Sequence, residues 1–69
     1  MSELRLERIS SVLNRTSETR AAWYAKVKQG RAPKPVKLAG TRAAAWVSSE
    51  IDAYIERQIS DRDRVRQSD

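Results

Sequence analysis

The stretch RAPKP at residues 31–35 limits, more than any other feature, what this chain can fold into. Each proline holds the residue before it in extended geometry, so no helix can run through the stretch. Gly30, which comes directly before it, suits the left-handed position that follows the last turn of a helix. The sequence therefore predicts a helical part that ends near residue 29 and a differently organised part after the prolines.

The first of the predicted helices is short. Leu4, Leu6 and Ile9 fall among charged residues in a segment that we expect to be extended. Ser10 or Ser11 then suits the N-cap of a helix over SVLNR, because a hydroxyl accepts a hydrogen bond from the first-turn amides. The polar stretch RTSET interrupts this helix and separates it from the next.

A second helix is predicted over residues 20–29, with Thr19 as its N-cap. Trp23 and Val27 are four residues apart, share one face and are expected to point into the core. A neighbouring stripe turned toward solvent holds Arg20, Tyr24 and Lys28. Two helices joined by a short polar turn are typical of a helix-turn-helix.

After the prolines the pattern changes to that of a β-hairpin. In the stretch VKL, apolar residues alternate with a lysine, which is the period of a strand. Gly40 suits the hairpin tip because it is free to adopt positive φ. We predict a return strand over residues 42–47, with Ala44 and Trp46 on one face.

A third helix is predicted to begin at Ser48 or Ser49, with Asp52 completing a variant of the capping box. An apolar stripe follows at helical spacing and consists of Ile51, Tyr54, Ile55 and Ile59. Residues 61–69 alternate in charge and are expected to form a solvated, fraying tail. The chain is thus predicted to be one domain over residues 1–60 with a charged tail over residues 61–69.

The cations are concentrated in the middle of the chain. Residues 19–46 contain seven lysines and arginines and no aspartate or glutamate, while the whole chain carries a net charge of +5. A basic surface kept only for solubility would intersperse both signs. The segregation instead indicates a polyanionic partner, and nucleic acid is the partner that we favour.

Several classes of function are disfavoured by composition. The chain contains no cysteine and no histidine, which removes the usual metal ligands and imidazole-based acid–base chemistry. We expect no catalytic residue, no metal, no cofactor and no enzyme activity. No apolar run approaches the ~20 residues of a membrane span, and the N-terminus does not have the pattern of a signal peptide. We therefore expect a cytoplasmic protein without a membrane partner.

The predicted order of helix, turn, helix, hairpin and helix is that of a small winged helix-turn-helix, mainly α with a small β-hairpin. The stretches GRAPKPVKLAG and WVSSEIDAYI, with Thr16, Thr19, Arg20 and Tyr24, also resemble the AlpA family of phage and prophage regulators. The chain is similar as well to phage excisionases, which share the MerR-like winged-helix fold. The resemblance extends from Ile9 to Ile59.

Four positions depart from the family pattern. Ser17 and Glu18 stand where the family has Gly-Leu, Ala32 replaces a phenylalanine, and Lys26 occupies a position that is usually apolar. Loss of the leucine is expected to loosen the packing of the first two helices. If Glu18 takes the leucine's place in the core, a Glu18→Leu substitution should then stabilise the domain by about 1–2 kcal/mol.

The resemblance implies that the second helix enters the DNA major groove. Arg20 lies in its first turn, where recognition helices meet base edges, and arginine can bond guanine bidentately. Ala21 is a candidate for contact with a thymine methyl, and Tyr24 and Lys28 for contact with phosphates. The alternative is a solvated face of an amphipathic helix.

The hairpin and the proline stretch supply further candidates. Lys37 and Arg42 flank the tip, where a wing places cations in the minor groove, although charges on an edge strand also prevent aggregation. Arg31 and Lys34 are expected to bind backbone phosphate. The candidate DNA-binding residues are Thr19, Arg20, Ala21, Tyr24, Lys28, Arg31, Lys34, Lys37 and Arg42. The aromatic residues Trp23, Trp46 and Tyr54 are predicted to lie in the core rather than to stack on bases.

Three functions remain open. The first is a transcription regulator that binds double-stranded DNA near a promoter and acts positively on RNA polymerase. The second is an excisionase that bends attachment-site DNA and directs an integrase. The third is an interaction module for an acidic protein. For the first two we expect additional copies of the chain on the DNA and no small-molecule effector.

Overall fold

Helices α1 to α3 and strands β1 to β3 account for the regular structure of residues 4–67, the part of the chain that the computed structural model describes. In chain order they are β1 Leu6–Glu7, α1 Ile9–Thr16, α2 Arg20–Lys28, β2 Val36–Lys37, β3 Ala44–Val47 and α3 Ser48–Gln67. The last two residues of the predicted tail lie outside the described part. The prediction of a mainly helical chain with a small antiparallel sheet is confirmed, and α3 continues into the tail segment.

The second helix forms as predicted. Thr19 is its N-cap, and the threonine Oγ1 accepts a hydrogen bond of 3.1 Å from the backbone N–H of Ala22. The helix ends at Lys28, and Gly30 has the left-handed conformation that stops it, with φ +78°. Residues 31–35 form no helix or strand. The prolines therefore divide the chain at the expected place.

The sheet is larger than the predicted hairpin. Strand β3 is central, and it pairs antiparallel with β2 on one side and with β1 on the other. The extended N-terminal segment thus becomes a third strand, whereas Ile9 belongs to α1 rather than to that segment. The return strand begins at Ala44, and Arg42 lies in the turn before it. Gly40 has φ +76° in that turn, as expected.

The predicted cap of α1 is wrong, whereas α3 begins at Ser48 as predicted but without the expected capping box. Helix α1 follows Arg8, which makes no side-chain cap, and Ser11 Oγ donates instead to Glu7 Oε1 at 2.8 Å. Helix α3 starts at Ser48 directly after β3, and the Ser48 N–H donates to the Arg5 carbonyl at 2.7 Å. Pairing with the N-terminal segment satisfies this amide. Asp52 of the predicted capping box pairs with Arg15 instead.

The core lies between the helices and the sheet and is mainly aromatic. Trp23 and Trp46 are fully buried, and Tyr54 is 2% exposed. The Trp23 ring packs edge-to-face against both, with centroids 6.0 Å from Trp46 and 5.1 Å from Tyr54. The prediction that these aromatics form the core is confirmed. Ala45 is also buried, although we expected Ala44 on the face of Trp46. The remaining members of the buried cluster are Val12, Ala32 and Ile51.

The apolar stripe of α3 leaves the core before the helix ends. Ile51 is fully buried and Ile55 packs against the cluster, but Ile59 is 48% exposed, so its predicted core position is wrong. The helix is longer than the small core against which it packs, and its later turns extend past the packed residues. Among the helices of residues 4–67, none has the length and apolar character needed to cross a membrane.

Arg15 joins three elements through ion pairs. Its guanidinium pairs with Glu7 of β1 and with Asp52 of α3, and Ser48 Oγ donates to Glu7 Oε2 at 2.7 Å. Burial has the largest single effect on the pKa of the Glu7 carboxyl, and it opposes ionisation. The hydrogen bonds from Ser48, Ser11 and Arg15 together outweigh burial, so the pKa of Glu7 lies below its usual value of 4.5.

Two departures from the family pattern meet inside the structure. The Glu18 side chain is only 13% exposed, and its carboxylate accepts from Lys26 Nζ at 3.0 Å and from the Tyr54 hydroxyl. Lys26 Nζ also lies 3.3 Å from the Tyr54 oxygen. Hydrogen bonding to Glu18, then to Tyr54, raises the pKa of Lys26. Glu18, Lys26 and Tyr54 form a polar cluster, and the expectation that leucine at position 18 stabilises the domain is therefore reversed.

We predict that Glu18→Leu lowers the free energy of unfolding by about 1–2 kcal/mol, because it leaves the ammonium of Lys26 and the hydroxyl of Tyr54 without the carboxylate that accepts their hydrogen bonds. Glu18→Leu combined with Lys26→Met should recover part of this loss, since leucine then meets an apolar neighbour. Urea titrations of both single variants and the double variant would give the coupling energy, expected at about 1 kcal/mol. Glu56→Leu, at an exposed position of α3, is the control. Strictly additive effects would contradict the coupling.

We also predict an acid-induced loss of stability that depends on Glu7. Since its pKa is lowered by folding, Glu7 stabilises the protein above about pH 4.5, and this contribution disappears as the pH falls through the lower value of the folded state. Thermal midpoints measured from pH 7 to pH 3 should therefore decline less steeply for Glu7→Gln than for the natural chain. Glu56→Gln should retain the full decline. Equal slopes for Glu7→Gln and the natural chain would refute this role.

Candidate nucleic-acid interface

Helix α2 buries one face and exposes the other. Trp23 is fully buried, whereas Arg20, Ala21, Tyr24 and Lys28 are all exposed, as the spacing predicted. The Tyr24 ring lies edge-on to the Trp46 ring, with centroids 6.0 Å apart, and remains 42% exposed. The core thus holds the ring of Tyr24 in place while leaving part of it accessible to a ligand.

The first turn of α2 is suited to an anion. Thr19 is exposed and fixes the start of the helix through its bond to the Ala22 amide. The turn contains no acidic residue, and Arg20 is its first helical residue. A helix N-terminus carries partial positive charge, which adds to the charge of the arginine. The two features together favour a negatively charged partner at this end of the helix.

The connection between α2 and β2 is irregular but well anchored. The backbone amides of Arg31 and Ala32 both donate to the Lys26 carbonyl, at 2.8 and 3.2 Å. The indole Nε1 of Trp46 donates to the Pro33 carbonyl at 2.9 Å. Arg31 and Lys34 are exposed on this anchored backbone. The sequence predicts Trp46 as a core residue but does not identify this contact. A buried indole N–H generally needs a hydrogen-bond partner, and the predicted burial of Trp46 therefore indicates that such a partner exists.

The hairpin turn is held by hydrogen bonds across its base. The Leu38 N–H donates to the Ala43 carbonyl at 3.0 Å, while Thr41 Oγ1 donates to the Leu38 carbonyl and accepts from the Ala43 N–H. Lys37 in β2 and Arg42 in the turn are both exposed. A defined turn therefore carries a cation on each side.

The fold separates the seven cations of residues 19–46 into two groups. Within the described part of the chain, Lys26 is the one that forms an ion pair with an acid, and its partner Glu18 lies just before the acid-free run. The other six are exposed and pair with no described acidic side chain: Arg20, Lys28, Arg31, Lys34, Lys37 and Arg42. Every one of these six is among the predicted site residues.

Comparison with known proteins identifies one family. Residues 5–59 match the family model described as "Prophage CP4-57 regulatory protein (AlpA)". The match runs from the N-terminal segment into α3 and includes all nine candidate site residues. Neither the curated proteins nor the solved structures gave a match.

Proposed function

This chain belongs to the AlpA family of prophage regulatory proteins, and we propose that it regulates transcription by binding double-stranded DNA sequence-specifically. The observation that carries the proposal is the group of six exposed cations on α2, the connection and the hairpin, none of which is paired with a described acid. A phosphate backbone supplies the missing negative charge. The proposed function involves no catalytic step and no cofactor, and its setting is the bacterial cytoplasm.

In this proposal α1 and α2 form a helix-turn-helix, and α2 enters the major groove. Arg20 reads guanine from the first turn, and Ala21 lies against a thymine methyl. Tyr24 and Lys28 contact phosphates further along the same exposed face. Thr19 supports these contacts by fixing the start of α2.

The β2–β3 hairpin acts as the wing. Lys37 and Arg42 contact the minor groove or its edges, where narrow A·T-rich stretches attract arginine. Arg31 and Lys34 position the domain on the backbone between helix and wing. The hydrogen bonds that hold the turn and the connection support this role, because they reduce the ordering that binding would require.

We propose positive control near a promoter, through a contact with RNA polymerase, and binding by more than one copy. One recognition helix reads few base pairs, so useful selectivity in a genome needs adjacent copies on repeated half-sites. Two features are available for contacts between proteins. The α3 helix continues past the core to Gln67, and Leu4 and Leu6 near the outer strand β1 are 93% and 50% exposed.

We predict that binding to duplex DNA depends strongly on salt, with a log–log slope of about −4 to −6, as expected for roughly five to seven phosphate contacts. On a selected site, Arg20→Ala should abolish most of the preference over random DNA while keeping non-specific affinity. Lys28→Ala should weaken both alike and reduce the slope by about 0.9. Fluorescence anisotropy over a range of salt concentrations would measure all three quantities.

Arg64→Ala is the control for these variants, because Arg64 lies in α3 and pairs with Asp61 at 2.7 Å. It should leave the binding of one copy to one half-site nearly unchanged. A natural chain that shows no duplex binding, or a slope near zero, would instead favour an interaction module for an acidic protein. An unchanged specificity ratio in Arg20→Ala would exclude α2 as the reading helix.

We predict that deletion of residues 62–69 reduces cooperative binding and transcriptional output while sparing the affinity of one copy for one half-site. The reason is that the nine proposed DNA contacts lie within residues 19–42, whereas residues 62–64 belong neither to these contacts nor to the buried cluster. Footprinting on paired half-sites and a promoter reporter would test this with one variant.

A single copy that protects one short site and gives full reporter activity would contradict the multi-copy proposal. If the deletion leaves transcription unchanged but prevents phage excision, the function is that of an excisionase rather than of an activator.

A further inference from the structure

A groove lies between the α2–β2 connection, strand β2 and helix α3. Its volume is about 450 Å³, and it is open to solvent. Arg31 and Lys34 line it from the connection, and Arg57 lines it from α3. Arg57 is 23 positions beyond Lys34 in the sequence and sits in a helix of mixed charge, so the sequence gives no sign that the two share a site.

The electrostatic character of the groove is cationic. Arg31, Lys34 and Arg57 are all exposed, and among the described side chains none of them pairs with an acid. Glu50 is the one acidic residue of the lining. The net formal charge of the lining is therefore positive, with three cations against one carboxylate.

The remaining walls strengthen this field. They are formed largely by small apolar residues, namely Ala32, Pro33, Val36, Val47 and Ala53. Apolar walls have a low dielectric constant, and a cleft between such walls whose charges are mainly of one sign concentrates the potential inside it. A single anionic group in the groove would face three cations from two different elements.

We propose that this groove binds a phosphate of the DNA backbone and that Arg57 of α3 is a DNA contact. The inference rests on the proposed function, and it adds to the interface a residue from a helix that neither reads bases nor belongs to the wing. The lining begins at Gly30, just past the end of α2, and includes Val36 of β2, so the groove adjoins both elements proposed to enter the DNA grooves. A backbone segment bound to both elements is therefore within reach of this region.

Glu50 provides a second test, in which the expected change in DNA affinity has the opposite sign to that of Arg57. Its carboxylate lies in the lining and repels a bound phosphate, so removing its charge should strengthen binding, whereas removing the charge of Arg57 should weaken it. A surface residue with only a structural role would not produce opposite changes of this kind at both positions.

The experiment compares Arg57→Gln, Glu50→Gln and Arg62→Gln on a duplex that contains one half-site, over a range of salt concentrations. Arg62 is on the same helix, outside the groove, and pairs with Asp63 at 2.8 Å. We expect Arg57→Gln to lower affinity roughly threefold to tenfold on specific and random duplexes alike and to reduce the salt slope by about 0.9. Glu50→Gln should raise affinity, and Arg62→Gln should change it less than twofold. Circular dichroism and thermal midpoints would confirm that each variant is folded.

The outcomes separate this inference from the proposed function. If the natural chain binds DNA with a steep salt slope but Arg57→Gln behaves like Arg62→Gln, the phosphate site is refuted and the proposed function stands. If Arg57→Gln keeps full DNA affinity but loses reporter activity, the groove contacts a protein and the inference is likewise overturned. If the natural chain binds no duplex at all, both proposals fail.

Discussion

The indole of Trp46 is the contact on which the rest of the structure depends. It is fully buried in the central strand, packs against Trp23 of α2 and lies edge-on to Tyr24 on the exposed side of the same helix. Its N–H also holds the Pro33 carbonyl. One side chain thus joins the sheet, the proposed recognition helix and the cationic connection. In a chain of 69 residues, where few large side chains are available for a core, such a shared contact fixes several elements at once.

Two acids of the N-terminal part, Glu7 and Glu18, are used in internal contacts, and this affects the charge of the surface. Glu7 is held by Arg15 and two serines, and Glu18 is held by Lys26 and Tyr54. The carboxylates therefore stabilise contacts between elements instead of opposing the exposed cations. Pairing also explains how the chain accommodates a glutamate and a lysine at two positions where the family resemblance implies apolar residues, because each supplies the partner that the other needs. The two departures are best understood as one change.

Local features of the sequence predicted the elements that local interactions control. Helix α2, its Thr19 cap, the break after Gly30 and the tip at Gly40 all depend on neighbours within a few residues. The burial of Trp23 and Tyr54 and the exposure of Arg20, Tyr24 and Lys28 followed from helical spacing. The cap predicted at Ser10 or Ser11 was wrong because α1 already begins at Ile9, and Asp52 of the predicted capping box pairs with the distant Arg15 instead. Partners distant in sequence also hold the start of α3, where Ser48 donates its amide to Arg5 and its hydroxyl to Glu7. Ile59 was misplaced because a 3.6-residue period does not reveal where a small core ends.

The sequence alone determined the helical and hairpin parts, the acid-free run of residues 19–46 and its resemblance to the AlpA family, since each of these is a matter of composition and spacing along the chain. Only the tertiary structure decided which charges are paired and which elements share a surface. It removed Lys26 from the cationic surface, because folding brings Glu18 and Tyr54 to it. It placed Arg57 beside Arg31 and Lys34, because α3 packs next to the connection. Charge partners are chosen by proximity in space, and proximity between elements distant in sequence arises only when the core has assembled.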